Sequence, residues 1–244
     1  MPETLFHRGR HEEALECGRR ALGLAVSDPK TLNFCAWLFS NSGCHQEAAS
    51  AYLSLLDLHP DWTEGYRHAS GSLMASGAVS EAIDCALEAC ARDPQNSDYA
   101  LHAGSVLLSI GRREEAAVLA EEAAIAAPHQ IDTTISAAEL LIRCDRAELA
   151  ADKLRVAAAA HLTGDPAVFR VLSGAEMLLG RFDEALAAIE TALALAPGRA
   201  EYFLHRGHVL ARLGELLAAE AAFEDAAALD PANPELKRAQ IDLI

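Results

Sequence analysis

The sequence predicts an all-α fold, an α-solenoid of stacked helix–turn–helix hairpins, and three observations predict it. Apolar residues make up 51% of the 244-residue chain while aromatics supply only 5%, so the core is built from Ala, Leu, Val and Ile, with the strongest helix formers prominent. The phrase GRFDEALAAIETALALAP, ending at Pro197, returns as GAVSEAIDCALEACARDP ending at Pro94, GRREEAAVLAEEAAIAAP ending at Pro128 and GELLAAEAAFEDAAALDP ending at Pro231. Beneath these phrases runs a fixed period: Ala14, Ala48, Ala82, Ala116, Ala150, Ala185 and Ala219 follow one another at 34 residues, with a single step of 35.

Each repeated mark has a structural reason. Five residues before each alanine stands Gly9, Gly43, Gly77, Gly111, Asp145, Gly180 or Gly214, where one helix stops and the next begins and the backbone needs a positive φ. Twelve residues after it stands Pro60, Pro94, Pro128, Leu162, Pro197 or Pro231, and proline closes the second helix. Seven residues before the glycine position a small residue (Ala36, Ser70, Gly104, Ala138, Ser173, Gly207) lets the paired helices approach. A hairpin of this kind cannot bury its own faces and must stack on its neighbours.

Taken in order, residues 1–28 form a half unit with Leu5, Gly9, Ala14 and Ala21 in register and most of its first helix missing. Six complete units follow, 29–62, 63–96, 97–130, 131–165, 166–199 and 200–233, so the chain is expected to be one array. The fourth complete unit departs from the pattern at Asp145, at Leu162 and by one extra residue around HLTGD, so its local geometry is expected to be irregular. Residues 234–244 start a further helix, with Asn233 as N-cap ahead of Pro234, that either caps the array or continues it. Ile241, Leu243 and Ile244 leave that helix apolar at its end, which motivates a longer natural polypeptide as one expectation.

Composition narrows the function. A net charge of −16 repels phosphate backbones and anionic lipid surfaces, so neither nucleic acid nor membrane is an expected partner. MPETLFHRGRHEE lacks the apolar core and cleavage site of a signal peptide, and no uncharged apolar run reaches the ~18 residues of a membrane span. Cys17, Cys35, Cys44, Cys85, Cys90 and Cys144 form no CxxC pair and read as small hydrophobes in a reducing cytoplasm. Glu12–Glu13, Glu114–Glu115 and Asp183–Glu184 follow the turn, where negative charge complements a helix N-terminus, so they read as caps. His7 and His11 straddle Gly9, and His205 and His208 lack a third ligand, so no metal is expected. Neither HExxH, GxSxG, a Walker loop nor GxGxxG occurs, and no catalytic residue or cofactor is assigned.

The small–Gly–Ala–Pro spacing resembles the tetratricopeptide repeat over nearly the whole chain. That resemblance implies a right-handed superhelix whose first helices line a concave groove, with groove-facing side chains at positions 2, 5, 9, 12 and 13 of each unit and position 6 near the edge. The family's first-helix tryptophan is absent; Leu32, Tyr66, Ala100, Thr134, Phe169 and Phe203 stand in its place. The groove residues so implied are Asn33, Trp37 and Asn41; Arg67 and Met74; Leu101 and Leu108; Ile142 and Arg143; Arg170 and Met177; and His208 and Arg212. Positions 5, 9, 12 and 13 hold four Arg against one Glu, Glu139, giving an inner seam opposite in sign to the molecule, although Glu64, Asp98, Asp132 and Glu201 at position 2 outnumber Lys30. His68, His102 and His205 recur at position 6, either as bystanders at the surface or as groups that add positive charge to the groove edge in mild acid. The clamp that captures a C-terminal carboxylate in chaperone-binding members is not reproduced: Arg67 is followed by Gly71, and the next units offer His102 and Asp132.

Three readings follow. The first is a scaffold that binds a peptide or helix of a partner protein, with apolar anchors and acidic residues for the arginines. The second is a substrate-recruiting front domain of a larger enzyme, such as a bacterial protein glycosyltransferase. The third is self-association through apolar surface around Leu5 and Leu15 of the half unit.

Overall fold

The computed structural model describes residues 2–24, 28–160 and 164–236, and among these it is helical with no strand. The expectations placed on Leu162, Ile241, Leu243 and Ile244 lie outside the described residues. Contacts divide the chain into two compact units, 1–112 and 113–244.

The first unit holds α1 (Pro2–His7), α2 (His11–Gly23), α3 (Pro29–Asn41), α4 (His45–Leu58), α5 (Thr63–Ser76), α6 (Val79–Arg92) and α7 (Ser97–Ser109). Each packs on the next in chain order, and α1 and α5 also touch α3 and α7 respectively. The second unit holds α8 (Arg113–Ala126), α9 (Ile131–Arg143), α10 (Ala147–Ala160), α11 (Pro166–Leu178), α12 (Phe182–Leu195), α13 (Ala200–Leu213) and α14 (Leu216–Leu229), packed in the same way. First helices thus begin at 29, 63, 97, 131, 166 and 200, and the helices pack neighbour to neighbour as in an α-solenoid.

Local chemistry sets these boundaries. Asp28 and Asp165 each stand before a proline and accept a backbone N–H of the first turn, from Thr31 at 2.9 Å and Ala167 at 2.8 Å. Asn233 caps the helical start at 234–236 in the same manner, accepting the Glu235 N–H at 2.9 Å. First helices end in a Schellman turn: the residue after the glycine position donates to the carbonyl five back, as Ala78 does to Leu73 at 2.9 Å. Asp145 takes this conformation too, with φ +62, and the Arg146 N–H reaches Leu141 O at 2.9 Å. At Asp145 itself the turn is therefore regular, because Asp tolerates the left-handed region better than most residues.

The alanines of the 34-residue period are all fully buried. In the first unit Ala48 and Ala82 share a core with Leu32, Phe39, Tyr52 and Leu55. In the second, Ala219 packs with Leu204, Leu210, Phe223 and Ala226. The small position has a measurable reason at Gly207: a Cβ there would meet the Phe223 ring at 2.3 Å. Gly207→Ala is therefore expected to destabilise by about 1–2 kcal/mol, overpacking outweighing the gain in helix propensity, and Phe223→Leu in the same chain to recover part of the loss in urea melts.

Candidate functional site

Burial along the first helices follows one rule in both units. Position 12 is half-buried in every complete repeat (Ser40, Met74, Leu108; Ile142, Met177, Ala211), and position 13 is exposed in every one (Asn41, Ala75, Ser109; Arg143, Leu178, Arg212). Spacing on a helix explains this, since successive residues step round its axis by about 100° and position 12 turns back toward the neighbouring helix.

In the first unit Trp37 is the prominent member of the set. It remains 42% exposed although Phe6 stands edge-on to its ring at 5.1 Å and Phe34 lies 5.7 Å away. Asn41 uses its amide on the Trp37 carbonyl at 2.8 Å, steadying the end of α3. Asn33 lines a cavity of about 550 Å³ with Pro29, Lys30, Leu55, His59, Asp61 and Trp62. Met74 is half-buried against the core, and Leu101 and Leu108 are half-buried as well.

In the second unit Arg143 is exposed and has no acidic partner among the described residues, whereas Arg170 pairs with Glu139 of the preceding repeat at 2.8 Å. Arg212 lies over the Phe182 ring, 4.9 Å from its centroid, and His208 stands edge-on to Phe223 at 5.4 Å. Ile142 and Leu178 line a cavity together with residues of the second helices α8 and α10. Met177 is half-buried, and Leu204, at position 5 of the last complete repeat, is buried.

Three expectations change on this geometry. The seam is not an open row of positive charge: Arg67 faces Glu64 at 3.6 Å and Arg170 faces Glu139, so of the four arginines two are paired and Arg212 is stacked on an aromatic ring. The position-6 histidines are not surface bystanders, and His102 and His205 are not groups that charge in mild acid. His102 and His205 are half-buried, their Nε2 atoms 3.1 and 3.0 Å from Ser70 and Ser173 of the preceding repeat, and burial pushes both down to about 4. His68 stacks on Tyr52 at 5.4 Å and is likewise lowered by burial. The apolar surface expected around the half unit is covered, since Leu15 is buried and Leu5 packs half-buried against the core, which removes the observation behind self-association.

Sequence reasoning missed a buried charge. Glu176, only 2% exposed in α11, receives Arg155 of α10 and lies 3.5 Å from Arg181, which is itself bidentate to Glu148. The available signal was a lone acid inside an apolar run, SGAEMLLG.

All six cysteines are free; Cys35, Cys85 and Cys144 are buried, and burial raises the Cys35 thiol to about 11. Among the described residues no helix is long and apolar enough to cross a membrane, and no group of three or more His, Cys, Asp or Glu could hold a metal ion.

Comparison with known proteins bears on the same features. A tetratricopeptide repeat family model matches residues 69–131 and 175–234, together just over half of the chain. A comparison with curated proteins finds no match. Among solved structures, the C-terminal part of a TPR repeat-containing protein from Cytophaga hutchinsonii is similar with a TM-score of 0.70 at 16% identity, covering 98% of this chain and 97% of that one. A tetratricopeptide repeat protein from Parabacteroides merdae gives 0.64 at 15% identity, covering 99% and 95%. YrrB, described as a TPR protein with an unusual peptide-binding site, gives 0.55 at 20% identity, covering 80% and 100%. With the 34-residue period, the left-handed turn residues and the buried alanines in place, the matched residues settle the assignment: the chain belongs to the tetratricopeptide repeat family.

Proposed function

We propose that the protein is a non-catalytic interaction scaffold that holds a peptide or helix of a partner protein on the exposed register of its first helices. The observation that carries this reading is Trp37, a large aromatic left 42% exposed on α3 beside Phe6 and Phe34. Half-exposed aromatics with one flank already packed lose little side-chain freedom on binding, which suits them to anchor a ligand. In the second unit Arg143 offers a cation without an acidic partner among the described residues, suited to a carboxylate on the ligand. The peptide-binding site in the description of YrrB supports the class of function.

The test is a photo-crosslinking amino acid placed in turn at Trp37 and at Leu87, an exposed residue of the second helix α6. Adducts with one partner from position 37 and none from 87 are expected, together with a loss of about tenfold or more in affinity for that partner in Trp37→Ala. Adducts confined to position 87 would place binding on the second helices and overturn the reading.

A further inference from the structure

Beyond the first-helix register, the second unit carries a groove between the second helices α8 and α10. Two cavities, of about 770 and 530 Å³, share Leu149 and Asp152 and line up along the helix pair. One wall is the stripe Glu114, Ala117, Val118, Glu121 and Ala124 of α8, at helical spacing; the other is Leu149, Asp152, Lys153 and Val156 of α10. At 14 residues, α8 makes the groove about 20 Å long, the span of a four-turn helix.

Two of the side chains lining it are short. In the register of Ala117 and Ala124, α6 carries Ile83 and Cys90, and α12 carries Leu186 and Leu193. Its apolar walls reach solvent, with Val118 54% and Val156 71% exposed. Four carboxylates around it already have cations: Glu114 faces Arg146, Asp145 faces Arg113, Glu148 faces Arg181 and Asp152 faces Arg155. Glu121, half-buried on the wall of α8, has no cationic partner among the described residues. Lys153 stands toward the other end and is not paired with it.

We infer that this groove is a second docking site, for an amphipathic helix of about four turns from a partner protein that presents an apolar stripe and a lysine or arginine opposite Glu121. The apolar stripe covers Val118, Leu149 and Val156, and the base meets the one carboxylate lining the groove that has no cationic partner among the described residues. A carboxylate flanked by apolar side chains favours a cation and disfavours an acidic ligand, so charge selects the partner and apolar area holds it.

The probe is a fluorescein-labelled amphipathic peptide of leucines and lysines, four turns long, with a leucine–glutamate peptide of the same pattern as comparison. Circular dichroism first establishes that each variant keeps wild-type helicity, which solvent-facing Val→Ser changes are expected to do. Val118→Ser/Val156→Ser should bind the lysine peptide about tenfold more weakly than wild type, and Glu121→Gln about threefold more weakly. Leu53→Ser/Leu87→Ser, which alters exposed leucines of the first unit, should leave binding unchanged. Equal weakening by both serine pairs, or none by either, would reduce the interaction to diffuse attraction to a −16 chain and overturn the site. Equal binding of the glutamate peptide would overturn the charge assignment. Concentration-dependent dimerisation of wild type in sedimentation, lost in Val118→Ser/Val156→Ser, would make the occupant a second copy and overturn the partner.

Discussion

Lowering the pH from 7 to 4 is expected to cost the protein roughly 2–3 kcal/mol for each of His102 and His205. Both rings lie in half-buried positions between consecutive first helices, and burial is the largest cause of their fall from 6.5 to about 4. Arg67 and His68 push His102 the same way, as do His208 and Arg170 for His205. At the second site the proton can be placed by reasoning. The Ser173 hydroxyl has one hydrogen and gives it to Ala185 O at 2.7 Å, so its oxygen can only accept, and His205 must carry its hydrogen on Nε2. Acid then adds a proton at Nδ1. The Ser173 bond survives, and the loss comes from placing charge where water is scarce.

Because the folded values lie below that of the unfolded chain, the unfolded state binds more protons between pH 6.5 and about 4. The stability held by neutral rings is complete above 6.5 and falls away as the pH drops through that window. Urea melts at pH 7, 5.5 and 4 on wild type and His102→Gln/His205→Gln isolate the effect, since glutamine can donate to the same serine and stays neutral. The surface carboxylates titrate in both proteins and cancel in the difference. The double variant should lose about 4–6 kcal/mol less than wild type across the range. Parallel pH curves for the two would refute the assignment.

Those histidines also show where sequence reading stops. Their recurrence at one position of the repeat was visible, and so was a serine at the small position of the preceding repeat, 32 residues earlier in each case. Bringing the two together requires the stacking of one first helix on the next, a tertiary contact that a one-repeat template does not contain. The same gap hides the Arg170–Glu139 pair, 31 residues apart, which cancels charges that looked additive along the groove. What was legible depends on backbone and period alone: the turn glycines, the buried alanines and the closing prolines follow from the chain's local geometry. Asp145 departs from that pattern in residue type alone, since Asp tolerates the left-handed conformation that the turn requires. The α8–α10 groove is not legible in the sequence, because its two walls stand on helices of successive repeats and meet only in the stack.

Arg155→Ala is expected to destabilise the second unit by about 3 kcal/mol, far more than the loss of an ordinary surface arginine. Its guanidinium is 40% exposed, but the carboxylate it serves is not: Glu176 is 2% exposed, and its Oε2 has no hydrogen-bond partner. With Arg155 gone, Glu176 would keep, among the described residues, only the 3.5 Å contact to Arg181, whose Nη2 atom is committed to Glu148 at 2.8 Å. A buried charge stripped of its main partner costs more than the pair contributed, so removing the second charge should reverse most of the damage. Arg155→Ala/Glu176→Leu, which replaces the acid by an apolar side chain of similar size, is therefore expected within about 1 kcal/mol of wild type. A double variant no more stable than Arg155→Ala would mean that the arginine acts through the packing of its stem on α10 instead of through Glu176. The network also joins α10, α11 and the turn before α12, elements of two successive repeats. In a stack held by contacts between neighbours, weakening one such interface lets the parts on either side unfold separately. Arg155→Ala should thus lower the urea m-value as well as the midpoint, and the double variant should restore both.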